Sequence, residues 1–207
     1  DEELLKIVLN RMVKSAGVTV LFNASVIGAN EKDGVLSSVE VFGMGKKHEF
    51  FADYFIDATG DAELSTLAGC EYQLGRDADG LCQPMTLCFR VGNVNVDRFY
   101  ESRPRLNEAH KQALEAGELM NPRENILVFR TPVKNVLHFN TTRIVKKNPT
   151  DPEDVTEAEL LARKQVYEIY NFMKKHADGL EDSFLMMTAA EIGVRESRMI
   201  VGEYVLT

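Results

Sequence analysis

The stretch Tyr54-Phe55-Ile56-Asp57-Ala58-Thr59-Gly60-Asp61 shapes the interpretation of the whole chain, because an apolar run there meets a turn of small residues. The apolar residues 54–56 predict a buried strand, and Gly60 predicts a tight turn or a close approach of the backbone. Asp61 is predicted to cap the following helix, which Gly69 ends. Free N–H groups at such a helix start favour an anionic or hydroxyl-rich ligand, such as a dinucleotide. The same arrangement is also common in α/β domains for structural reasons alone.

The residues before this stretch predict one helix and a small β-meander. Apolar residues recur at helical spacing over 2–16, and Gly17 follows as a C-terminal stop. A short β-rich run over 18–22 predicts the first strand. Two glycine turns, Asp33-Gly34 and Gly43-Met44-Gly45, separate three further β-rich runs and therefore predict two hairpins.

Beyond residue 69 the pattern changes, and a loop rich in Gly and Asp marks a domain boundary. We therefore expect two domains, over 1–69 and 70–207. Pro104 is expected to separate two short helices, and Thr156-Glu157-Ala158-Glu159 is typical of a capping box at the start of a long helix. The predicted helices are 97–101, 106–116 and 156–176, and the predicted strands are 85–91, 126–130, 135–142, 183–188 and 199–206. The fold class is α/β with α+β character, and the second domain is expected to contain a sheet of mixed strand directions.

Composition and charge exclude several classes of protein. Hydrophobic residues make up 44% of the 207 residues, which is ample for a packed core. The formal net charge of −8 argues against nucleic acid as a partner, since lysine and arginine form no cluster beyond three adjacent lysine pairs. No apolar run approaches the roughly 20 residues of a membrane span, so we expect a soluble protein without a membrane partner.

The two ends of the chain suggest a cut segment. The chain starts at Asp1 within a helical pattern and without a Met, and it stops at Thr207 within a predicted strand. We therefore expect a segment cut at both ends, from which a targeting signal could have been removed.

The three cysteines, Cys70, Cys82 and Cys88, have spacings that fit neither a zinc motif nor a disulfide framework. They are expected to be buried free thiols, and no metal site is predicted.

Residues 56–69, with the sequence Ile56-Asp57-Ala58-Thr59-Gly60-Asp61-Ala62-Glu63-Leu64-Ser65-Thr66-Leu67-Ala68-Gly69, carry a resemblance to a known family. They resemble the second flavin-binding signature of the FAD-dependent oxidoreductases with a glutathione-reductase-like FAD domain. The segments Gln83-Pro84-Met85-Thr86-Leu87-Cys88-Phe89-Arg90 and Ile192-Gly193-Val194-Arg195-Glu196-Ser197-Arg198-Met199-Ile200-Val201-Gly202-Glu203-Tyr204 look like later blocks of one bacterial branch of that group. The resemblance is strongest over 17–92 and 188–207.

The resemblance implies a two-part enzyme that transfers a hydride between a small organic substrate and FAD. Residues 1–69 would be part of the FAD-binding domain, and residues 70–207 would be a substrate or cap domain that is incomplete at its C-terminus. The first fingerprint of the family, G-x-G-x-x-G, binds the pyrophosphate and does not occur in this sequence. FAD is therefore expected in the full-length protein, whereas this chain alone is predicted to bind it poorly or not at all.

On the cofactor side, the resemblance points to Val26, Ala58, Thr59, Gly60 and Asp61. In the family the turn passes close to the ribityl and pyrophosphate region of the flavin, and Val26 matches a position whose backbone meets the adenine. Other roles remain open. Gly60 and Asp61 could serve only turn formation and capping, and Val26 could be an ordinary core valine. The small residues Ala58 and Thr59 could approach either a cofactor or a packed neighbour.

On the substrate side, the candidates are Arg195, Arg198 and His138. A guanidinium near a flavin stabilises the negative charge that develops on the ring, or it holds a substrate carboxylate bidentately. The two arginines would share a face in a helix and point oppositely in an extended segment. Each could instead form a salt bridge with Glu191, Glu196 or Glu203. His138, on a predicted strand, could move a proton or be an ordinary sheet residue.

Two other functions fit parts of the sequence. A non-catalytic ligand-binding or interaction module would keep the flavoprotein fold without its cofactor, and the missing fingerprint favours it. A flavin-linked protein that modifies RNA shares the second signature, but the negative charge counts against nucleic acid. The substrate, the electron acceptor and the oligomeric state are not readable from the sequence. The compartment is unknown, with only a slight preference for the cytoplasm.

Overall fold

The structure is a computed structural model that describes residues 2–204. The chain divides into two compact units. The first consists of Asp1–Gln73 and Arg198–Thr207, and the second consists of Leu74–Ser197. The assignment of the two predicted domains to FAD binding and to substrate binding remains a prediction.

The first unit begins with a helix and a three-stranded antiparallel meander. These elements are α1 (Glu2–Ser15), β1 (Ala24–Lys32), β2 (Val35–Gly43) and β3 (Lys46–Phe51). The turn residues Asp33 and Gly34 have φ of 55° and 79°, and Met44 and Gly45 have φ of 51° and 77°. Two successive positive φ angles are typical of the two-residue hairpin turn whose twist matches that of the strands. The predicted helix, meander and both turns are confirmed.

The predicted strands over 18–22 and 54–56 are wrong. Neither segment forms a strand or a ladder in the structure. Tyr54 and Ile56 are 90% and 89% exposed, although the pattern indicates burial. A strand needs a neighbour whose N–H and C=O groups complete its ladder. None of the described strands provides one for these two segments.

The first unit has a small core. Val39 and Val41 on β2 pack with Leu64, and five partly buried residues surround them: Ala24, Val26, Ala29, Leu36 and Phe55. By contrast, α1 buries none of its described side chains.

The second unit is built around a four-stranded sheet with two long helices. Its elements are β5 (Phe89–Gly92), α3 (Val96–Glu115), β6 (Val128–Arg130), β7 (Leu137–Phe139), α4 (Pro152–His176) and β8 (Phe184–Thr188). The strand order is β6-β7-β5-β8, and each neighbouring pair is antiparallel. The mixed α/β class is confirmed, but the predicted mixture of strand directions in this sheet is wrong. Only β6 and β7 are neighbours both along the chain and in the sheet, whereas α3 connects β5 to β6 and α4 connects β7 to β8.

Aromatic rings and one face of α4 fill the core of the second unit. The rings of Phe89 and Phe139 are stacked with centroids 5.0 Å apart, and Phe99 meets Phe139 edge-on at 6.0 Å. Five buried residues of α4 recur every three or four positions and cover the same core: Ala158, Ala162, Val166, Ile169 and Met173.

Two helix predictions need correction. Pro104 lies inside one continuous helix, α3, rather than between two helices. Proline removes one backbone hydrogen bond there, but the buried face that includes Phe99 and Leu106 keeps the helix together. The long helix α4 is capped by Asp151, whose side chain accepts the N–H of Glu153 at 2.9 Å. The predicted capping residue Thr156 lies within the helix and donates its hydroxyl to a backbone carbonyl.

The short strands β4 (Tyr72–Leu74) and β9 (Arg198–Ile200) pair with each other. The strand predicted over 199–206 is thus confirmed only at its start, and its last two residues lie outside the described part of the chain. The strand predicted over 85–91 begins as single bridges at Met85 and Thr86 and becomes regular only in β5. Between residues 2 and 204, no helix has the length and apolarity that crossing a membrane requires.

The cysteines are free, as predicted, but they are less buried than expected. Cys70 is exposed, and Cys82 and Cys88 are half-buried. Burial raises the pKa of the Cys88 thiol.

Candidate functional site

Asp57 organises the turn that the sequence singles out. Its Oδ1 accepts the N–H of Thr59 at 3.0 Å and the hydroxyl of Thr59 at 2.8 Å. Its Oδ2 accepts the N–H and the hydroxyl of Ser65, both at 2.8 Å. One carboxylate therefore joins the turn to the short helix that follows, α2 (Glu63–Leu67).

These hydrogen bonds hold Asp57 ionised. Burial raises the pKa of Asp57, but the N–H of Ser65, the N–H of Thr59 and both hydroxyls together lower it to about 2. Hydrogen bonds to a carboxylate favour its charged form. The turn therefore contains a fixed negative charge at neutral pH.

Asp61 does not cap α2, so this prediction is wrong. The N-cap position is Ala62, which has a φ of 54° and gives no side-chain hydrogen bond. The first N–H of the helix, that of Glu63, donates instead to the hydroxyl of Thr59 at 2.9 Å. The sequence contains the pattern that could have located the true partner. Asp57 and Thr59 are two positions apart, as in an Asx turn.

The same hydrogen bonds change the expected ligand preference of the helix start. The N–H groups of Glu63 and Ser65 are occupied by Thr59 and Asp57, so they are not free for an anion. With only five residues, α2 also has a small dipole. Gly69 terminates the helix as predicted, just beyond its C-cap Ala68: it has a φ of 82°, and its N–H donates to the carbonyl of Thr66 at 3.0 Å.

The turn itself is open to solvent. Ala58, Thr59 and Gly60 are exposed. Gly60 has a φ of 85°, and no atom lies within 4 Å of the position that a Cβ would occupy there. A cleft of about 700 Å³ lies within the same unit and is lined by Asp53, Phe55 and Asp57, among others. The backbone of the turn can therefore be approached closely by a ligand.

Val26 has the surroundings of a core valine, and its role in meeting the adenine remains a prediction. Its side chain packs against the small core of the first unit. It lies on β1, which forms the edge of its three-stranded sheet. In the part of the chain that the structure describes, no strand pairs with the outer edge of β1. Backbone groups along that edge are available to a ligand.

Arg198 belongs to the same unit as the turn and contacts it. Its Nη1 donates to the carbonyl of Asp61 at 3.0 Å, and its guanidinium lies 5.7 Å from the centroid of the Tyr72 ring. Cation–π contact and the hydrogen bond fix the side chain. Arg198 makes no ion pair with a carboxylate among the described residues. The structure thus places Arg198 against Asp61 in the turn that is the candidate cofactor site, whereas the sequence predicts Arg198 on the substrate side.

Arg195 lies in the second unit, in a segment that is not helical. The two arginines therefore do not share a helix face. Arg195 is exposed, and none of the described carboxylates of its unit forms an ion pair with it. Glu196, a possible partner, accepts the N–H of Gln83 at 3.1 Å.

His138 is the central residue of β7 and is half-buried. Its neighbours across the sheet are Arg90 on β5 and Phe129 on β6, and its ring centroid lies 6.2 Å from that of Phe129. This is the setting of an ordinary sheet residue, and a role in proton transfer remains a prediction.

Comparison with known proteins adds one decisive observation. The family model described as FAD dependent oxidoreductase matches residues 1–207. The chain belongs to this family of FAD-dependent oxidoreductases. No curated protein matches the chain. The glutathione-reductase-like character of the FAD domain remains a prediction.

The residues of this FAD-dependent oxidoreductase fit the cofactor in part. The open turn at 58–60 and the edge strand with Val26 suit a flavin nucleotide, since both present accessible backbone groups. However, the 207 residues contain no G-x-G-x-x-G sequence, and the start of α2 uses two of its N–H groups internally. The sequence therefore lacks the G-x-G-x-x-G cradle for the pyrophosphate, and contacts of residues 58–60 and Val26 with the flavin nucleotide remain a prediction.

Proposed function

We propose that the protein is an oxidoreductase that transfers a hydride between a small organic substrate and FAD. The match of the family model over residues 1–207 carries this proposal, and the open turn at 58–60 supports it. FAD, when bound, supplies the redox chemistry, while the protein supplies binding, orientation and electrostatics.

On the cofactor side, Gly60 lets the backbone approach the ligand because it has no side chain and adopts a positive φ. Asp57 keeps the turn in one shape through its four hydrogen bonds. Arg198 acts as a positioning residue, since it holds the carbonyl of Asp61. Val26 would meet the adenine through its backbone.

On the substrate side, Arg195 would bind an acidic group of the substrate through its guanidinium, which forms two parallel hydrogen bonds with a carboxylate. His138 would donate or accept a proton near the reacting atom. The supporting observations are the exposure of Arg195, its lack of an ion pair in its own unit, and the half-buried position of His138.

We further propose that this chain alone binds FAD weakly. Backbone N–H groups that point at the two phosphates normally provide several charge-assisted hydrogen bonds, each worth about 1.5–3 kcal/mol. The G-x-G-x-x-G sequence that supplies them is absent from the 207 residues. Loss of two such bonds would weaken binding by about 10²- to 10⁴-fold.

A matched pair of glycine variants tests the cofactor site in the product of the complete coding sequence. Gly60 and Gly45 have φ of 85° and 77°, and neither has an atom within 4 Å of an added Cβ. Gly60→Ala and Gly45→Ala therefore impose similar backbone strain, but only the first adds an atom at the candidate site. We expect a yellow protein whose flavin content falls in Gly60→Ala and persists in Gly45→Ala, measured by visible absorption.

The non-catalytic module remains the second candidate, because the missing fingerprint favours it. A complete gene product that is colourless and fails to bind added FAD would support the module and contradict the oxidoreductase.

A further inference from the structure

A short ladder in the second unit positions two arginines on one face. Met85 and Ile144 exchange two backbone hydrogen bonds, of 3.0 and 2.9 Å, and Thr86 and Gly193 exchange two more, of 3.2 and 2.8 Å. Residues 85–86 therefore lie between the segments that contain Ile144 and Gly193. Each outer segment has an arginine close to its bridge.

The burial pattern shows which way these arginines face. Met85 and Ile144 are buried in the core, and Ile192 and Val194 also pack against it. Side chains alternate between the two faces of an extended segment. Arg143, next to Ile144, and Arg195, next to Val194, therefore emerge on the face opposite to the core, and Arg195 is exposed there.

A third arginine joins them through a buried asparagine. The side chain of Asn121 is fully buried, and its Nδ2 donates to the carbonyl of Thr141 at 3.0 Å. Its Oδ1 accepts the N–H of Arg123 at 3.2 Å, which places Arg123 beside the segment that leads to Arg143. The backbone of Arg143 is fixed in turn by the side chain of Gln165, which accepts its N–H at 2.8 Å.

None of the three guanidinium groups forms an ion pair with a carboxylate among the described residues of their unit, although Glu124 lies close enough to Arg123 to act on its charge. Other arginines of this unit do form ion pairs, as Arg105 does with Asp178 at 2.8 Å. Burial lowers the pKa of Arg123, and the charges of Arg143 and Arg195 lower it further, while Glu124 opposes this effect. Three positive charges thus converge on a protein whose net charge is −8, and an anionic ligand would relieve their repulsion.

We propose that Arg123, Arg143 and Arg195 form a binding site for a small organic acid with at least two carboxylates. A guanidinium holds a carboxylate through two parallel hydrogen bonds, so several guanidiniums on one face suit a molecule with several carboxylates. A monocarboxylate would leave part of the positive charge uncompensated. The identification of this acid as the substrate rests on the proposed function. The existence of the binding site does not depend on that function.

Isothermal titration calorimetry of the chain with succinate, citrate, acetate and inorganic phosphate tests the site. We expect succinate or citrate to bind, and acetate and phosphate to bind at least about tenfold more weakly. Arg123→Gln, Arg143→Gln and Arg195→Gln should each weaken binding by about tenfold or more, since each removes charge-assisted hydrogen bonds. Arg105→Gln, which removes a paired surface arginine of the same unit, should change the affinity less than about twofold.

Three outcomes would overturn the proposal: no binding of any of these acids, binding that the three variants leave unchanged, or acetate or phosphate binding as tightly as the polycarboxylates. Arg195 is exposed, so the Arg195→Gln variant remains informative even if the other two variants fold poorly. The visible spectrum of the complete gene product separates this result from the proposed function. A colourless protein that binds citrate would keep the site and refute the flavin chemistry, and a yellow protein that binds no acid would do the reverse.

Discussion

Replacement of Asp57 by Asn tests whether this carboxylate stabilises the turn. The drop of its pKa from 3.8 to about 2 corresponds to about 2 kcal/mol of stability. Because solvent reaches the carboxyl, we expect about half of this, ~1 kcal/mol, to be measurable. The amide of Asn cannot accept both groups of Ser65 and both groups of Thr59, so some of these donors lose their partner.

The stability difference between Asp57→Asn and the native protein is expected to depend on pH. A carboxyl with a lowered folded-state pKa stabilises the protein above its unfolded-state pKa of 3.8, and this contribution is lost as the pH falls through about 2. Urea unfolding at about pH 6 should show Asp57→Asn less stable by ~1 kcal/mol, and the difference from the native protein should shrink toward about pH 2. Asp53→Asn, which changes an exposed carboxylate four residues earlier, is the control. Equal stability of Asp57→Asn and the native protein at about pH 6, or a difference that does not depend on pH, would refute this reasoning.

Three further predictions concern the second unit and the hairpin turns. Phe139→Ala should destabilise the second unit by about 3–5 kcal/mol in urea unfolding, because the ring is fully buried between two other phenylalanines; a loss below about 1 kcal/mol would contradict this packing. Asp151→Ala should lower the free energy of unfolding by about 1 kcal/mol through loss of the α4 cap, and Thr156→Ala should lower it by less than about half of that. A larger loss in Thr156→Ala than in Asp151→Ala would instead support the capping box that the sequence predicts. Gly45→Ala should destabilise the meander by about 1 kcal/mol, because alanine is strained at a φ of 77°, and an unchanged urea midpoint would contradict this backbone conformation.

Local features of this fold could be predicted from the sequence because short-range chemistry determines them. The Asp33-Gly34 turn and the helix stops at Gly17 and Gly69 need only the left-handed backbone conformation that glycine and a few polar residues adopt easily. These elements do not depend on distant partners. The predicted meander with its two hairpin turns is therefore confirmed.

Features that depend on partners could not be predicted in the same way. The apolar run at Tyr54 and Ile56 has the composition of a buried strand, but it has no ladder in the described structure and its side chains are exposed. The continuous helix through Pro104 similarly depends on packing of its buried face, which outweighs one lost hydrogen bond. The order of apolar and polar residues reveals neither that the segment at Tyr54 and Ile56 has no pairing strand in the described structure nor that packing compensates for Pro104.

The candidate site residues also divide into those that local chemistry makes predictable and those that depend on distant contacts. The turn at Gly60 is predictable because glycine adopts a positive φ easily, and the structure confirms this conformation, whereas the contact of Gly60 with the cofactor remains a prediction. The organising role of Asp57 was missed in favour of Asp61, although its spacing to Thr59 was a readable signal. Arg123 and Arg143 could not be associated with Arg195, since only the backbone bridges and Asn121 bring these distant positions together.

The central claim is that the turn at residues 58–61 lies against FAD. An NMR titration of the isotope-labelled chain with FAD tests this claim directly, because chemical-shift changes of backbone amides report even weak binding. We predict shifts that depend on FAD concentration at the amides of Ala58, Thr59, Gly60 and Asp61, and at Val26. Unchanged amides at these positions at the highest FAD concentration, or shifts confined to the second unit, would contradict the account.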